Sequence, residues 1–297
     1  MPLTIVAALT VAALCHPQGP ATAQEPVSLR HALEPGTSFG FVIDVDARIE
    51  FDAPEQRQDS RMRFCMHFSA EVGAVDRGHA KVACRLDRVE ANVVSPAARG
   101  DFDSARREDQ GPLSQLAQLA GQVFEVRVDG AGHIAGVESP PALRALARER
   151  LGADFDTLFA AWFVPLPRGP VAPGAEWPAE IALADPTAAG AHAIKATDRL
   201  ADVALGHAHI DRTLQLEPPP ARPGVRFEPG KGTGRIVFDV AAGRVESAEL
   251  ELSARAVRTD GAAKAPAAGT STLRVRATAA GRAEHPAPHE PDPRPNR

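Results

Sequence analysis

Phe39–Phe51 reads FGFVIDVDARIEF, and every odd position in it is apolar: Phe39, Phe41, Ile43, Val45, Ala47, Ile49 and Phe51. The even positions carry Asp44, Asp46, Arg48 and Glu50. Successive side chains on a strand point to opposite faces, so this alternation predicts a long strand with one buried and one wet face. A helix would scatter the same apolar residues around its circumference, so this stretch sets the fold class as β.

The pattern extends in both directions. Met62 to Val75 and Ala80 to Val94 alternate in the same way, and Asp76-Arg77-Gly78 between them supplies a tight turn with a glycine for positive φ, which predicts a hairpin. Later strands are expected at Phe124–Val128, Ile134–Val137, Ala179–Ala184, His192–Ala204, Ala208–Leu216, Ile236–Val240, Ala248–Ala256 and Leu273–Ala277. Two stretches depart from this period. Leu113–Ala120 predicts a short amphipathic helix ended by Gly121. Leu143, Leu146, Ala147, Leu151, Phe155, Leu158, Phe159 and Trp162 follow helical spacing, with Asp154 placed to cap a second helix. Val164–Pro178 holds five prolines and no period, so it reads as an irregular crossover. The Gly-rich run Gly230–Gly234 reads as a loose entry to a hairpin.

The expectation is a mainly β (α+β) fold: one strongly curved antiparallel sheet, an incomplete barrel or a sandwich, with about nine or ten strands and a central helical insertion. Residues 24–279 form one β-rich domain, with the insertion near 113–163 and the crossover at 164–178. Residues 280–297 are Pro-rich, lack an apolar pattern and are expected to be disordered.

Leu3–Leu14 (LTIVAALTVAAL) is uncharged and too short to span a bilayer. Ala21-Thr22-Ala23 follows with the small-x-small pattern of a cleavage site, so residues 1–23 read as a signal peptide and the protein as exported, periplasmic or secreted. Leu14 stands where lipid attachment at Cys15 would want a small residue, which counts against a lipoprotein. No other segment has the ~18 apolar residues of a transmembrane helix. The chain carries 33 basic and 38 acidic residues with no long block of one sign, which argues against nucleic acid as a partner. The alternation puts Cys65 on the wet face of its strand, with Arg63 and His67, and Cys84 on the apolar face. Cysteines on opposite faces cannot pair, so two free thiols are expected.

Few residues suggest chemistry. His207, His209 and Asp211 share one face of a strand, and imidazoles at i and i+2, with Cβ atoms ~7 Å apart, can reach one zinc or copper ion. No further ligand is identifiable from sequence, and a plain polar strand face, continued by Thr213, Gln215 and Glu217, outweighs the metal reading. Gly230-Lys231-Gly232-Thr233-Gly234 lacks both the spacing and the following helix of a phosphate loop. Phe102-Asp103-Ser104 has no nucleophile elbow and no assignable His partner. Nothing in the sequence calls for a cofactor or names a catalytic residue. Phe124, Leu143, Leu158, Phe159, Trp162 and Trp177 are candidates to line an apolar groove between sheet and helices, with ordinary core packing as the competing account.

The order of several short motifs resembles an uncharacterised family of exported bacterial proteins, a domain of unknown function. Pro35-Gly36 leads into the first long strand, and Phe102-Asp103-Ser104 follows the hairpin. Then come Val126-Arg127-Val128-Asp129-x-x-Gly132-x-Ile134-x-Gly136-Val137 and the crossover Pro165-x-Pro167-x-x-Pro170-Val171-x-x-Gly174-x-x-Trp177. Gly232-x-Gly234-x-x-x-Phe238-Asp239-x-x-x-Gly243 closes the series. The resemblance covers Leu29 to Ala277 and implies an exported β-rich domain without assigned catalytic residues.

These features favour a non-enzymatic extracytoplasmic binding protein whose partner is an apolar small molecule. The alternatives are an envelope interaction module that binds another envelope protein through exposed strand edges, and a metal-dependent enzyme built on His207 and His209.

Overall fold

The computed structural model describes residues 25–52, 57–96, 99–106, 111–150, 155–184, 191–217, 225–258 and 268–280. The expected signal peptide and the tail from 281 onward lie outside the described residues. The first strands are β1 (Ser38–Asp52), β2 (Arg57–Asp76), β3 (His79–Val94) and β4 (Arg99–Asp103). A 3-10 helix (Gly111–Leu119) precedes β5 (Val123–Asp129) and β6 (Ile134–Glu138). Helices α1 (Pro141–Arg150) and α2 (Phe155–Phe159) lead to β7 (Glu176–Ala184), β8 (Ala191–Ala204) and β9 (His207–Leu216). The chain then forms β10 (Val225–Phe227), β11 (Gly230–Asp239), β12 (Arg244–Arg258) and β13 (Ala268–Ala280).

All thirteen strands belong to one antiparallel sheet, ordered β6-β5-β3-β2-β1-β13-β12-β11-β9-β8-β7, with β4 beside β3 and β10 beside β12. The order closes the chain on itself, because the first strand pairs with the last along almost its whole length, from Gly40↔Ala280 to Asp52↔Ala268. Edge strands β6 and β7 are not hydrogen-bonded to each other; α2 packs against both and fills the gap between them. The curved, open sheet is thus as expected, and a two-sheet sandwich is excluded. Among the described residues no helix is long and apolar enough to cross a membrane.

Two expectations need correction. The strand count is thirteen rather than about nine or ten; β4 and β10, of 5 and 3 residues, are too short for a period to show. The helix expected before Gly121 is present, as a 3-10 helix. The glycine run at 230–234 is not a loop but the first half of β11, held between β9 and β12. Its inward positions are Gly230, Gly232 and Gly234. A Cβ on Gly234 would lie 2.5 Å from Leu250 Cδ2, one on Gly230 would lie 2.8 Å from the Ser253 carbonyl, and one on Gly232 would overlap the Glu251 carbonyl. Glycine in a strand permits close backbone approach, and these three let β12 pack tightly against β11.

One end of the curved sheet is crossed by the segment Glu25–Glu34. His31 N–H donates to the Gly130 carbonyl in the β5–β6 turn (2.9 Å), and Ala32 N–H donates to the Gly243 carbonyl in the β11–β12 turn (2.7 Å). Val27 forms an isolated bridge with Val171 of the Pro-rich crossover. Two turns from distant parts of the sheet are thereby tied across the same end. The outer face carries cross-strand ion pairs. Arg61 holds Asp46, Arg276 holds Glu249 and Arg274 holds Glu251, linking β1 to β2 and β12 to β13. Such exposed pairs are screened by solvent and serve register more than stability.

Candidate functional site

The inner face divides into two zones. On a rung near the crossed end, Ile43, Ala277, Ile236, Ile210 and Leu200 are 0% exposed. Toward the opposite end Leu273 is 8% exposed and Leu252 and Ala254 are 7% exposed, so the apolar core is slightly less completely buried there.

The aromatic candidates fall on the filled side. Trp162 stacks on Phe41 with ring centroids 4.7 Å apart, and Phe41 stacks on Phe68 at 4.9 Å. Phe159 meets Phe68 at 5.3 Å, and Phe124 meets Phe155 of α2 at 4.2 Å. Phe124, Phe159 and Trp162 are thus mutually packed and plug the space between sheet and helices. Leu143, Leu158 and Trp177 are buried but slightly less completely, at 7–8% exposure.

Between the two zones runs one rung: Trp177 opposite Asp198, Asp198 opposite Arg212, Arg212 opposite Gly234, and Gly234 opposite Leu250. Arg212 and Asp198 form a two-point ion pair on this inner face, and both side chains are fully buried. Arg212 fits because Gly234 beside it has no side chain. Two N–H donors of the rung, Trp177 Nε1 and Arg212 Nη1, are buried with no acceptor among the described residues. Buried donors are satisfied in the great majority of cases, so two on one rung mark a place where an acceptor atom belongs. Sequence reasoning passed over Asp198 and Arg212, although a signal existed. Both fall at inward parity, Arg212 between Ile210 and Leu214 and Asp198 between Ala196 and Leu200, where a charge has to be paired to be buried.

The metal-type triplet does not assemble. His207, His209 and Asp211 do share the outer face of β9, but each engages a different neighbour. His209 Nδ1 bonds Asp202 Oδ1 at 2.6 Å, and His207 Nδ1 lies 3.0 Å from Glu246 without hydrogen-bond alignment. Asp211 lies 3.8 Å from Arg199. The carboxylates and guanidinium of flanking strands spread the three side chains apart, so no common ligand position forms. The Asp103-Ser104 pair is structural. Arg88 makes two bonds to Asp103, at 3.0 and 2.9 Å, and Ser104 Oγ accepts from Val89 N–H at 2.9 Å. Cys84 is buried on the inner face and Cys65 sits half-buried on the outer one, both as free thiols.

No protein-family profile and no curated protein matches this sequence. Among solved structures, one titled "Lipid-protein interactions in lipovitellin" is similar over 84% of this chain, at 11% identity and a TM-score of 0.49. The chain spans 26% of that protein's length. An outer membrane channel from Pseudomonas putida F1 aligns over 84% of this chain and 97% of its own, at 8% identity and a TM-score of 0.24.

Proposed function

We propose that the protein is a non-enzymatic extracytoplasmic binding protein for an apolar ligand that carries a hydrogen-bond acceptor. The ligand lies along the less completely buried half of the inner face, against Leu252, Ala254 and Leu273. Its acceptor, an ester, carboxylate or hydroxyl oxygen, meets Trp177 Nε1–H and Arg212 Nη1–H. The observation that carries this reading is the pair of buried, acceptorless donors on one rung of an otherwise apolar wall. Pockets of this kind are mostly apolar with a few placed polar groups that fix orientation. The Asp198 carboxylate balances the Arg212 charge, so the rung does not require an anionic ligand.

The test is native mass spectrometry of the protein purified without denaturant from an exporting host, followed by titration of the stripped protein with a fluorescent long-chain fatty acid. Saturable one-to-one uptake, weakened several-fold in Trp177→Phe, is expected. A bare mass together with no saturable uptake would overturn the reading.

A further inference from the structure

Among the described residues, Cys65, His67 and Glu90 bring three metal-type donor atoms within 4.8 Å of one another. They lie on the outer face, across the sheet from the inner wall. Cys65 and His67 come from β2, and Glu90 of β3 is the register partner of Cys65. Residues i and i+2 of a regular strand hold their Cβ atoms ~7 Å apart, so two such side chains do not meet without leaning together. Here His67 Nε2 lies 3.6 Å from Cys65 Sγ and 3.5 Å from Glu90 Oε1. A β-bulge follows at once: His67 faces Arg88 while Phe68 faces Leu86, which leaves Asp87 as the extra residue. Bulges raise the local twist and re-aim side chains, and this one adjoins the cluster.

We propose that Cys65, His67 and Glu90 form a three-ligand site for a borderline-soft divalent cation, zinc above all, with the remaining position open to water. Thiolate, imidazole and carboxylate are the donor types zinc takes. The spacing fits as well. Tetrahedral zinc with bonds of ~2.3 Å to sulfur and ~2.0–2.1 Å to nitrogen and oxygen separates S from N by about 3.5 Å and N from O by about 3.4 Å. The two observed distances match these edges before any ion is bound. A groove of about 380 Å³, lined by Arg63, Cys65, Arg88, Glu90 and Asp103 among others, gives access from solvent.

The charges around the site are arranged to accept a cation. Asp44 is the register partner of Cys65 on the β1 side and is held by Arg63. Burial, then Asp44 and Glu90, push the Cys65 thiol up to about 11. Arg88 touches Glu90 at 3.2 Å but keeps two bonds to Asp103, so Glu90 can turn to a metal without leaving Arg88 unpaired.

The experiment is titration of the metal-stripped full protein with Co²⁺, followed by absorbance. One equivalent should give a thiolate-to-cobalt charge-transfer band and intense tetrahedral d–d bands, both removed by Zn²⁺. Cys65→Ser should lose the charge-transfer band, and Cys65→Ser and His67→Ala should each weaken binding by at least about tenfold. The His207→Ala/His209→Ala double variant should bind unchanged. All four outer-face substitutions spare the core, and circular dichroism confirms the fold of each variant. Absence of a charge-transfer band in the wild type, or its survival in Cys65→Ser, would overturn the assignment. The site is independent of the inner face, so the outcome here does not bear on apolar-ligand binding.

Discussion

The Arg212 guanidinium donates through Nε and Nη2 to the two carboxylate oxygens of Asp198, at 2.6 and 2.7 Å, and solvent reaches neither side chain. The pair is set between β9 and β8 on the inner face of a sheet whose neighbouring rungs are apolar. Breaking it from one side leaves a buried charge without a counter-ion. Arg212→Met should therefore cost ~3–5 kcal/mol, while the double variant Asp198→Leu/Arg212→Met should recover most of that loss. Urea unfolding of the two single variants and the double one closes the cycle. Additive losses would show that the pair is not coupled.

His31 governs stability in acid. Its ring is buried between Phe163 and Phe238, and Nε2–H donates to the Val164 carbonyl at 3.1 Å. Burial lowers its pKa to about 4, against partial opposition from the Val164 bond and from Asp129. Above the unfolded value of about 6.5, neither state binds the proton and stability is full. Between about 6.5 and 4 only the unfolded chain takes it up, so stability falls as pH falls. Below about 4 the loss levels off near 3 kcal/mol. Urea midpoints at pH 7, 5 and 4 should decline in wild type and decline less in His31→Gln. Equal slopes in the two proteins would remove His31 from the account.

Gly132 should be far less replaceable than Gly36. Both have positive φ, 82° and 83°. Nothing lies within 4 Å of a Cβ added at Gly36, whereas one at Gly132 would overlap the Val164 carbonyl and come within 2.9 Å of His31 Nε2. Gly36→Ala should cost ~1–2 kcal/mol for its backbone alone, and Gly132→Ala about 3 kcal/mol or more. Thermal melts of both variants compare backbone strain with crowding directly.

Ala254→Phe tests whether the inner wall is open. In a filled core the added ring would cost ~1–3 kcal/mol of overpacking. On a water-reachable wall it should cost about 1 kcal/mol or less and should reduce uptake of the fluorescent fatty acid by roughly tenfold. A large stability loss would show that the wall has no room.

The inner half of each long strand was legible in the sequence, because one buried face imposes period two. The Asp76–Gly78 hairpin and the separation of Cys65 from Cys84 followed from the same pattern, helical spacing marked the α-helical segments, and a curved sheet was one of the architectures the alternation allowed. The β11 glycines were misread, since glycine weakens a strand signal whether it marks a loop or a close approach of two strands. The aromatic candidates were found as a group, but packing alone revealed that Phe124, Phe159 and Trp162 fill space while Leu143, Leu158 and Trp177 border it.

Alternation along a strand determines which face a residue occupies, and the sequence by itself determined that much: Arg212 and Asp198 had to point inward, Cys65 and His67 outward. Alternation carries no information about which residues of other strands stand opposite. Register placed Asp198 beside Arg212, Glu90 beside Cys65 and carboxylates apart from one another around His207 and His209. Those pairings join residues of adjacent strands, and their hydrogen bonds and ion pairs exist only in the register in which the strands pair. Only the tertiary structure decided where the sites lie.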